Sequence, residues 1–183
     1  NKTAVISMID CSKHKFSNIK EEYENKIFEM IYRLIDLKYN VVLFSFCKAE
    51  GDELAIDRVY KRINHDKLKF VTKHQYDGDI DKSLSVIKDS SLVIGTRFHS
   101  IVLALTFKKP VIPISYSIKT NNMLADLSFQ KKIIDIKDIN DFNVKDIDEE
   151  SLNYICDTSS VTSKSLKHFE ILDEYIRKGT INE

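Results

Sequence analysis

The sequence predicts a doubly wound α/β domain, a mostly parallel sheet with helices on both faces. Three observations carry this. Short apolar, β-branched runs recur at residues 4–9, 41–46, 68–71, 92–94 and 111–114, with a weaker one at 132–136, each of strand length and too short for a helix. Between them lie longer segments whose apolar residues fall three to four apart, the spacing of a helix with one buried face. The two kinds of segment alternate, and the strand runs are almost continuously apolar, as strands buried on both faces of a parallel sheet are.

In chain order, the first run ends at Asp10 and Cys11, and Tyr23, Ile27, Met30, Ile31, Leu34 and Ile35 then mark a long amphipathic helix. After the run at 41–46, a second helix is marked by Leu54, Ile56, Val59, Tyr60 and Ile63. Residues 79–88 predict a third, leading straight into the run at 92–94. Asp77, Asp79 and Asp81 imitate the opening of a calcium loop, but Lys82 stands where the required glycine would be and Lys88 where the bidentate glutamate would be. We read these aspartates as a helix N-terminus, where negative charge complements the dipole. Pro110 opens the run at 111–114, a position that tolerates its missing N–H. The acidic stretch 135–150, interspersed with lysines, is a solvated loop leading into a helix. The tail at 159–178 carries Val161, Leu166, Phe169, Ile171, Leu172 and Tyr175, which predicts a final helix packed back over the domain.

At 183 residues with 43% hydrophobic content, the chain fits one domain with a sizeable core. Lysine plus arginine and aspartate plus glutamate are 28 each, so no global field attracts nucleic acid or an anionic membrane, and any anion site must be local. Cys11, Cys47 and Cys156 have no CxxC spacing and are odd in number, which argues against a zinc cluster or a disulfide framework and for a reducing compartment. Cys11 and Cys47 each follow a strand and read as free thiols. His14, His65, His74 and His168 lack metal-ligand spacing and read as surface residues. No apolar run reaches the roughly 18 residues that span a bilayer. The expected setting is the cytoplasm, near the inner face of the membrane. The chain opens at Asn1, with no initiator methionine, directly ahead of a strand, so we expect it to be part of a longer protein.

One strand end is loaded with functional groups. In this architecture ligands bind at the carboxyl ends of strands, where the next helix supplies unpaired N–H groups. The run Gly95-Thr96-Arg97-Phe98-His99-Ser100 leaves a strand, turns, and enters an apolar helix through Ile101 and Val102, so Arg97 and His99 fall at its first turn. Arginine offers a planar charged fork suited to carboxylate or phosphate, and imidazole transfers protons near neutrality. The competing reading pairs Arg97 with a nearby acid and uses His99 as a helix cap.

This run, followed by Lys109-Pro110-Val111 and by Ser115-Tyr116-Ser117-Ile118-Lys119, resembles the polysaccharide pyruvyl transferases. In that family an Arg-x-His triplet, a Lys-Pro-Val strand and a Ser-Tyr-x-x-Lys turn occur in this order. The resemblance is close over residues 91–128 and looser at Gly51-Asp52-Glu53, which is similar to the family's acidic turn before a helix. It implies a GT-B-like enzyme of two Rossmann-like halves, with residues 1–183 as one such domain, the carboxy-terminal half, and the amino-terminal half as its missing partner. It further implies transfer of pyruvate from phosphoenolpyruvate to hydroxyls of a cell-surface or exopolysaccharide sugar, with no metal or organic cofactor. Carried over by motif, Arg97 and His99 are the catalytic candidates. Phe98, Ser100, Ser115 and Lys119 join them as substrate-binding candidates, with Arg97 on the donor's phosphate or carboxylate, His99 as acid or base, and Lys119 as a second cation. Family members often carry an arginine at the end of the first strand, whereas this chain has Asp10.

Two other functions compete with this one. A GT-B glycosyltransferase half would bind a nucleotide sugar, but the Arg-x-His and Ser-Tyr-x-x-Lys turns fit that poorly. A noncatalytic module would keep the fold and lose the chemistry. Assembly into a homo-oligomer is compatible with all three.

Overall fold

A computed structural model of the chain describes residues 2–13 and 15–179; His14 and the side chains of His168 and Ile171 lie outside the described residues. Six strands, β1 (Lys2–Ser7), β2 (Tyr39–Ser45), β3 (Val71–Gln75), β4 (Leu92–Gly95), β5 (Val111–Ser115) and β6 (Ile134–Asp135), form one sheet in the order β3-β2-β1-β4-β5-β6. Every pairing is parallel. This order reverses between β1 and β4, the switch point at which a doubly wound sheet opens a crevice beyond its carboxyl edge. The chain thus has the Rossmann-like α/β architecture that its apolar pattern predicts.

Side-chain alternation along each strand divides the core into two layers. Ala4 and Ile6 of β1 face α1 (Lys20–Asp36) and α2 (Asp52–Tyr60), where Tyr23, Ile27, Ile31 and Ile56 are fully buried. Val5, with Phe44 and Val93, faces the opposite layer, built on α3 (Ile80–Lys88), α4 (Phe98–Thr106) and α5 (Ile118–Asp126) through Ile87, Ile101, Ala104 and Leu124. Tyr23 bolts the first layer to the strand ends. Its hydroxyl, fully buried, accepts from the Ile9 N–H at 3.3 Å and shares a 2.9 Å hydrogen bond with Thr96 Oγ1.

Three expectations need correction. Residues 68–70 form a 3₁₀ turn, and the strand runs on from Val71 through Thr72, Lys73 and His74. It lies at the sheet edge, where one face meets water, so its polar residues do not break it. His74 is half-buried, stacked on Phe44 with ring centroids 4.6 Å apart and hydrogen-bonded through Nε2 to Ser83 at 3.0 Å. After the short α6 (Glu149–Asn153), the terminal helix α7 (Ser159–Gly179) forms, but Leu166, Phe169, Leu172 and Tyr175 are all more than half exposed, so it does not pack back over the domain.

In the stretch 135–150 the acids are exposed, as expected of a solvated segment, but two 3₁₀ turns (Ile136–Asp141 and Val144–Asp146) bury Ile136, Ile139, Phe142 and Ile147 between them. Asp79 caps α3 by accepting from the Lys82 N–H, and Asp77 pairs with the Lys82 ammonium at 3.1 Å, so the calcium-like run is a helix start. The three cysteines are free. Among the described residues no helix is long and apolar enough to cross a membrane.

Candidate functional site

The loops following β1, β2, β4 and β5 converge on the carboxyl edge of the sheet, and two glycines set how closely they approach. Gly95 ends β4. A Cβ there would lie 2.7 Å from Ile101 Cγ1 and 2.8 Å from Ser100 Oγ, so only glycine lets α4 fold back this tightly on its own strand. Gly51 joins a 3₁₀ turn (Lys48–Glu50) to α2 at φ +80°, a left-handed conformation that glycine adopts without strain. A Cβ on Gly51 would come within 3.0 Å of Asp10 Oδ2, so the loops after β1 and β2 are in direct contact.

Arg97 immediately precedes α4, with extended backbone, and its side chain turns inward. Its Nε donates to Asp52 Oδ2 at 3.0 Å, one terminal amino group (Nη2) donates to Asp52 Oδ1, and the other (Nη1) donates to a carboxylate oxygen of Glu50. The Asp52 side chain is fully buried and also accepts the N–H groups of Phe46 at 3.3 Å and Cys47 at 3.0 Å. Burial alone would lower the Arg97 pKa, but its hydrogen bonds to Asp52 and Glu50 outweigh it and the guanidinium is held above its ordinary value. The alternative in which Arg97 pairs with an acid is therefore realised in this structure.

A second cluster lies alongside. Arg58 of α2 donates through Nη2 to Asp10 at 2.9 Å and, through Nε and Nη2, to Glu24 at 2.9 and 2.7 Å. Burial acts to raise the pKa of Asp10, but hydrogen bonds from Ser12 and Arg58 bring it below its ordinary value. Arg58 thus supplies a cation at the end of β1, where this chain has Asp10, though it is already committed to two carboxylates. Cys11, next in sequence, is pushed up to about 12 by burial and by the nearby Glu24 and Asp10 carboxylates, so it remains a thiol.

The other expected site residues divide by orientation. Phe98 and His99 are the first two residues of α4. The Phe98 ring is half-buried and His99 exposed, with ring centroids 5.9 Å apart in an edge-on arrangement. Lys119, in the first turn of α5, places its ammonium 4.0 Å from the Phe98 ring centroid, so the turns after β4 and β5 meet. Ser100 and Ser115 are buried, with hydroxyls donating to the backbone carbonyls of Arg97 at 2.6 Å and Ser117 at 3.2 Å. Tyr116 packs edge-on against Phe16, in keeping with a packing role.

Sequence reasoning missed several groups at this edge. Glu50 and Asp52 had a signal, an acidic turn at the end of β2, but nothing in the sequence assigns them to Arg97, more than 40 residues away. Ser7 had none. It is fully buried at the end of β1, and its Oγ is the one buried side-chain polar atom among the described residues with no hydrogen-bond partner. Alternation places it on the same face as Val5, the α4 layer, and its partner in register on β4 is Gly95, which has no side chain to fill the space beside it.

Comparison with known proteins bears on the family of the chain. The chain is 24% identical over 128 residues to the amylovoran biosynthesis protein AmsJ of Erwinia amylovora, an alignment that takes in 68% of this chain and 31% of that protein. The chain therefore spans about a third of that relative's length. No solved structure gives a significant match. The family model described as polysaccharide pyruvyl transferase matches residues 3–118, from β1 to the start of α5, and so takes in both charged clusters and the Arg97-Phe98-His99 turn. With the match covering most of the sheet and the turns that line its carboxyl edge, the chain belongs to the polysaccharide pyruvyl transferase family.

Proposed function

We propose that this chain is the donor-binding half of a two-part pyruvyl transferase that takes pyruvate from phosphoenolpyruvate and attaches it to hydroxyls of a polysaccharide sugar. The observation that carries the reading is the meeting of the two linked turns. His99 stands exposed at the start of α4, beside Phe98, over whose ring the Lys119 ammonium lies at 4.0 Å. An imidazole and an ammonium at adjacent strand ends, next to the first N–H groups of α4, suit a small anion that must also be protonated.

In this reading the His99 imidazolium protonates the methylene carbon of the enol, which makes C2 electrophilic. A sugar hydroxyl adds to C2 and loses its proton, phosphate departs with the electrons of its C–O bond, and a second hydroxyl closes the ketal. Charge on the departing phosphate is met by Lys119 and by the arm of Arg97 that donates to the half-exposed Glu50. Asp52 holds Arg97 in place, and Phe98 packs beneath Lys119. Ser100 and Ser115 shape the two turns, because each hydroxyl proton already goes to a backbone carbonyl.

The acceptor sugar binds mostly on the other half of the longer protein, in keeping with an alignment that takes in 31% of AmsJ. The isolated chain is then expected to bind donor without turning it over. AmsJ is a biosynthesis protein for one polysaccharide, amylovoran, which supports a saccharide acceptor here. Calorimetric titration of phosphoenolpyruvate into the wild type and the Arg97→Lys and His99→Ala variants tests the reading, with a nucleotide sugar as comparison. Saturable donor binding weakened at least tenfold by Arg97→Lys is expected, since lysine lacks the planar fork. Binding of the nucleotide sugar in its place would favour a glycosyltransferase half.

A further inference from the structure

We infer that the Ser7 hydroxyl is a ligand-binding group of the donor site, a hydrogen-bond donor that the fold leaves unused and that an oxygen of the bound phosphate or carboxylate takes up. This rests on the proposed donor site and adds to it a residue far in sequence from the Arg97-Phe98-His99 turn. Ser7 ends β1, in register with Phe44 of β2 and Gly95 of β4, and is fully buried. Its carbonyl accepts the Thr96 N–H at 3.1 Å, which ties it to the turn after β4. Its hydroxyl is the one buried side-chain polar atom among the described residues without a hydrogen-bond partner. Such a group costs stability, and an alanine would fill the same position without that cost, so the hydroxyl does nothing for the folding of the free chain.

Its place in the fold is the centre of the candidate site. β1 lies between β2 and β4, where the strand order reverses. Asp52 is tied to the N–H groups of Phe46 and Cys47 just past β2, so the Arg97 side chain, which starts just past β4 and ends on Asp52, crosses the end of β1. Alternation puts the Ser7 hydroxyl on the face shared by Val5 and Val93. The first turn of α4 stands over that face at this level, since a Cβ on the neighbouring Gly95 would lie 2.7 Å from Ile101 Cγ1 and 2.8 Å from Ser100 Oγ. An anion held by the first N–H groups of α4 therefore rests on the turn that covers Ser7. Gly95 places no side chain between the two, so a small outward shift of this turn brings a ligand oxygen to the hydroxyl. A hydroxyl donating to an oxyanion away from water makes one of the stronger hydrogen bonds, and it adds no charge of its own.

The test is calorimetry on the 183-residue chain with two probes, phosphoenolpyruvate and inorganic phosphate, against wild type, Ser7→Ala and Ser7→Cys. Circular dichroism and urea unfolding first give the stability of each variant. Ser7→Ala should hold phosphoenolpyruvate about tenfold more weakly than wild type, or weaker still, while its stability stays level or rises. Ser7→Cys, whose thiol is a weak donor, should fall between the two. A serine with a purely structural role would not separate affinity from stability in this way. Wild-type affinity in Ser7→Ala would overturn the inference and leave the donor assignment standing. Weaker binding together with a loss of stability, or failure of Ser7→Ala to fold, would also overturn it, because the hydroxyl would then belong to the fold. Phosphate held about tenfold more weakly by Ser7→Ala, with phosphoenolpyruvate bound no better than phosphate by wild type, would uphold the role of Ser7 and remove the donor assignment. Binding of neither probe to wild type would overturn both.

Discussion

Asp52→Asn isolates the contribution of the buried ion pair. The substitution keeps the volume and leaves an oxygen in place of Oδ2 for the Phe46 and Cys47 N–H groups and for Arg97 Nε, but it sets an amide NH₂ in place of Oδ1, so donor meets donor at Arg97 Nη2. One charge-assisted hydrogen bond, a contribution of about 1.5–3 kcal/mol, is lost, and the one from Nε is weakened because its acceptor is no longer charged. Breaking a buried pair by removing one charge costs about 3–5 kcal/mol in general. Because Glu50 remains to partner the guanidinium, the lower end applies, and we predict a loss of about 3 kcal/mol. For a chain of this size that corresponds to a fall in Tm of roughly 6–12 °C. Urea unfolding followed by circular dichroism measures it, with an unchanged slope against denaturant as the sign that only stability moved. Glu50→Gln in the same assay costs less than about 1 kcal/mol, since that carboxylate is half-exposed. If Asp52→Asn also stays within about 1 kcal/mol of wild type, the asymmetry between the two carboxylates is refuted.

The remaining predictions concern the neighbouring groups. Ser7→Ala removes a buried hydroxyl that has no partner, so stability should stay level or rise by up to about 1 kcal/mol, whereas a drop of 1 kcal/mol or more in urea unfolding would mean that the hydroxyl is bonded in the free protein. The folded-state pKa of Asp10 is depressed below its ordinary 3.8, so its ionised form contributes stability that is present above that value and lost as the pH falls through the folded pKa. Tm measured from pH 5 down to about 2 should therefore fall less steeply in Asp10→Asn than in wild type; parallel profiles would contradict the Asp10–Arg58 pairing.

How much of this was legible in the sequence follows from the range of each interaction. Strand runs such as residues 92–94 and the helical spacing of Tyr23, Ile27 and Ile31 are local, and they led to the right layers. The edge strand was misplaced because the apolar residues at 68–70 pack into the core from a 3₁₀ turn, while the ladder is carried by Thr72, Lys73 and His74, whose polarity hid it. Helix α7 was legible as a helix, but amphipathic spacing does not say what covers the apolar face, and here Leu166, Phe169, Leu172 and Tyr175 stay more than half exposed. At the site, the Arg97-Phe98-His99 turn stood out because its groups are adjacent in sequence. The partners of Arg97 did not, because the register of β2 and β4 on either side of β1 decides that Asp52 and Arg97 meet. Asp10 read as the loss of a cation, yet Arg58 arrives beside it from α2, 48 residues later.

The most direct test of the donor site is to follow the amide resonances of the ¹⁵N-labelled chain as phosphoenolpyruvate is added. The account predicts that the largest shifts fall on Phe98, His99 and Ser100 at the start of α4, with Lys119 and the Glu50–Asp52 turn moving along the same saturation curve. Shifts centred elsewhere, for example in the groove between α4 and α5 lined by Val102, Met123 and Val161, would contradict it.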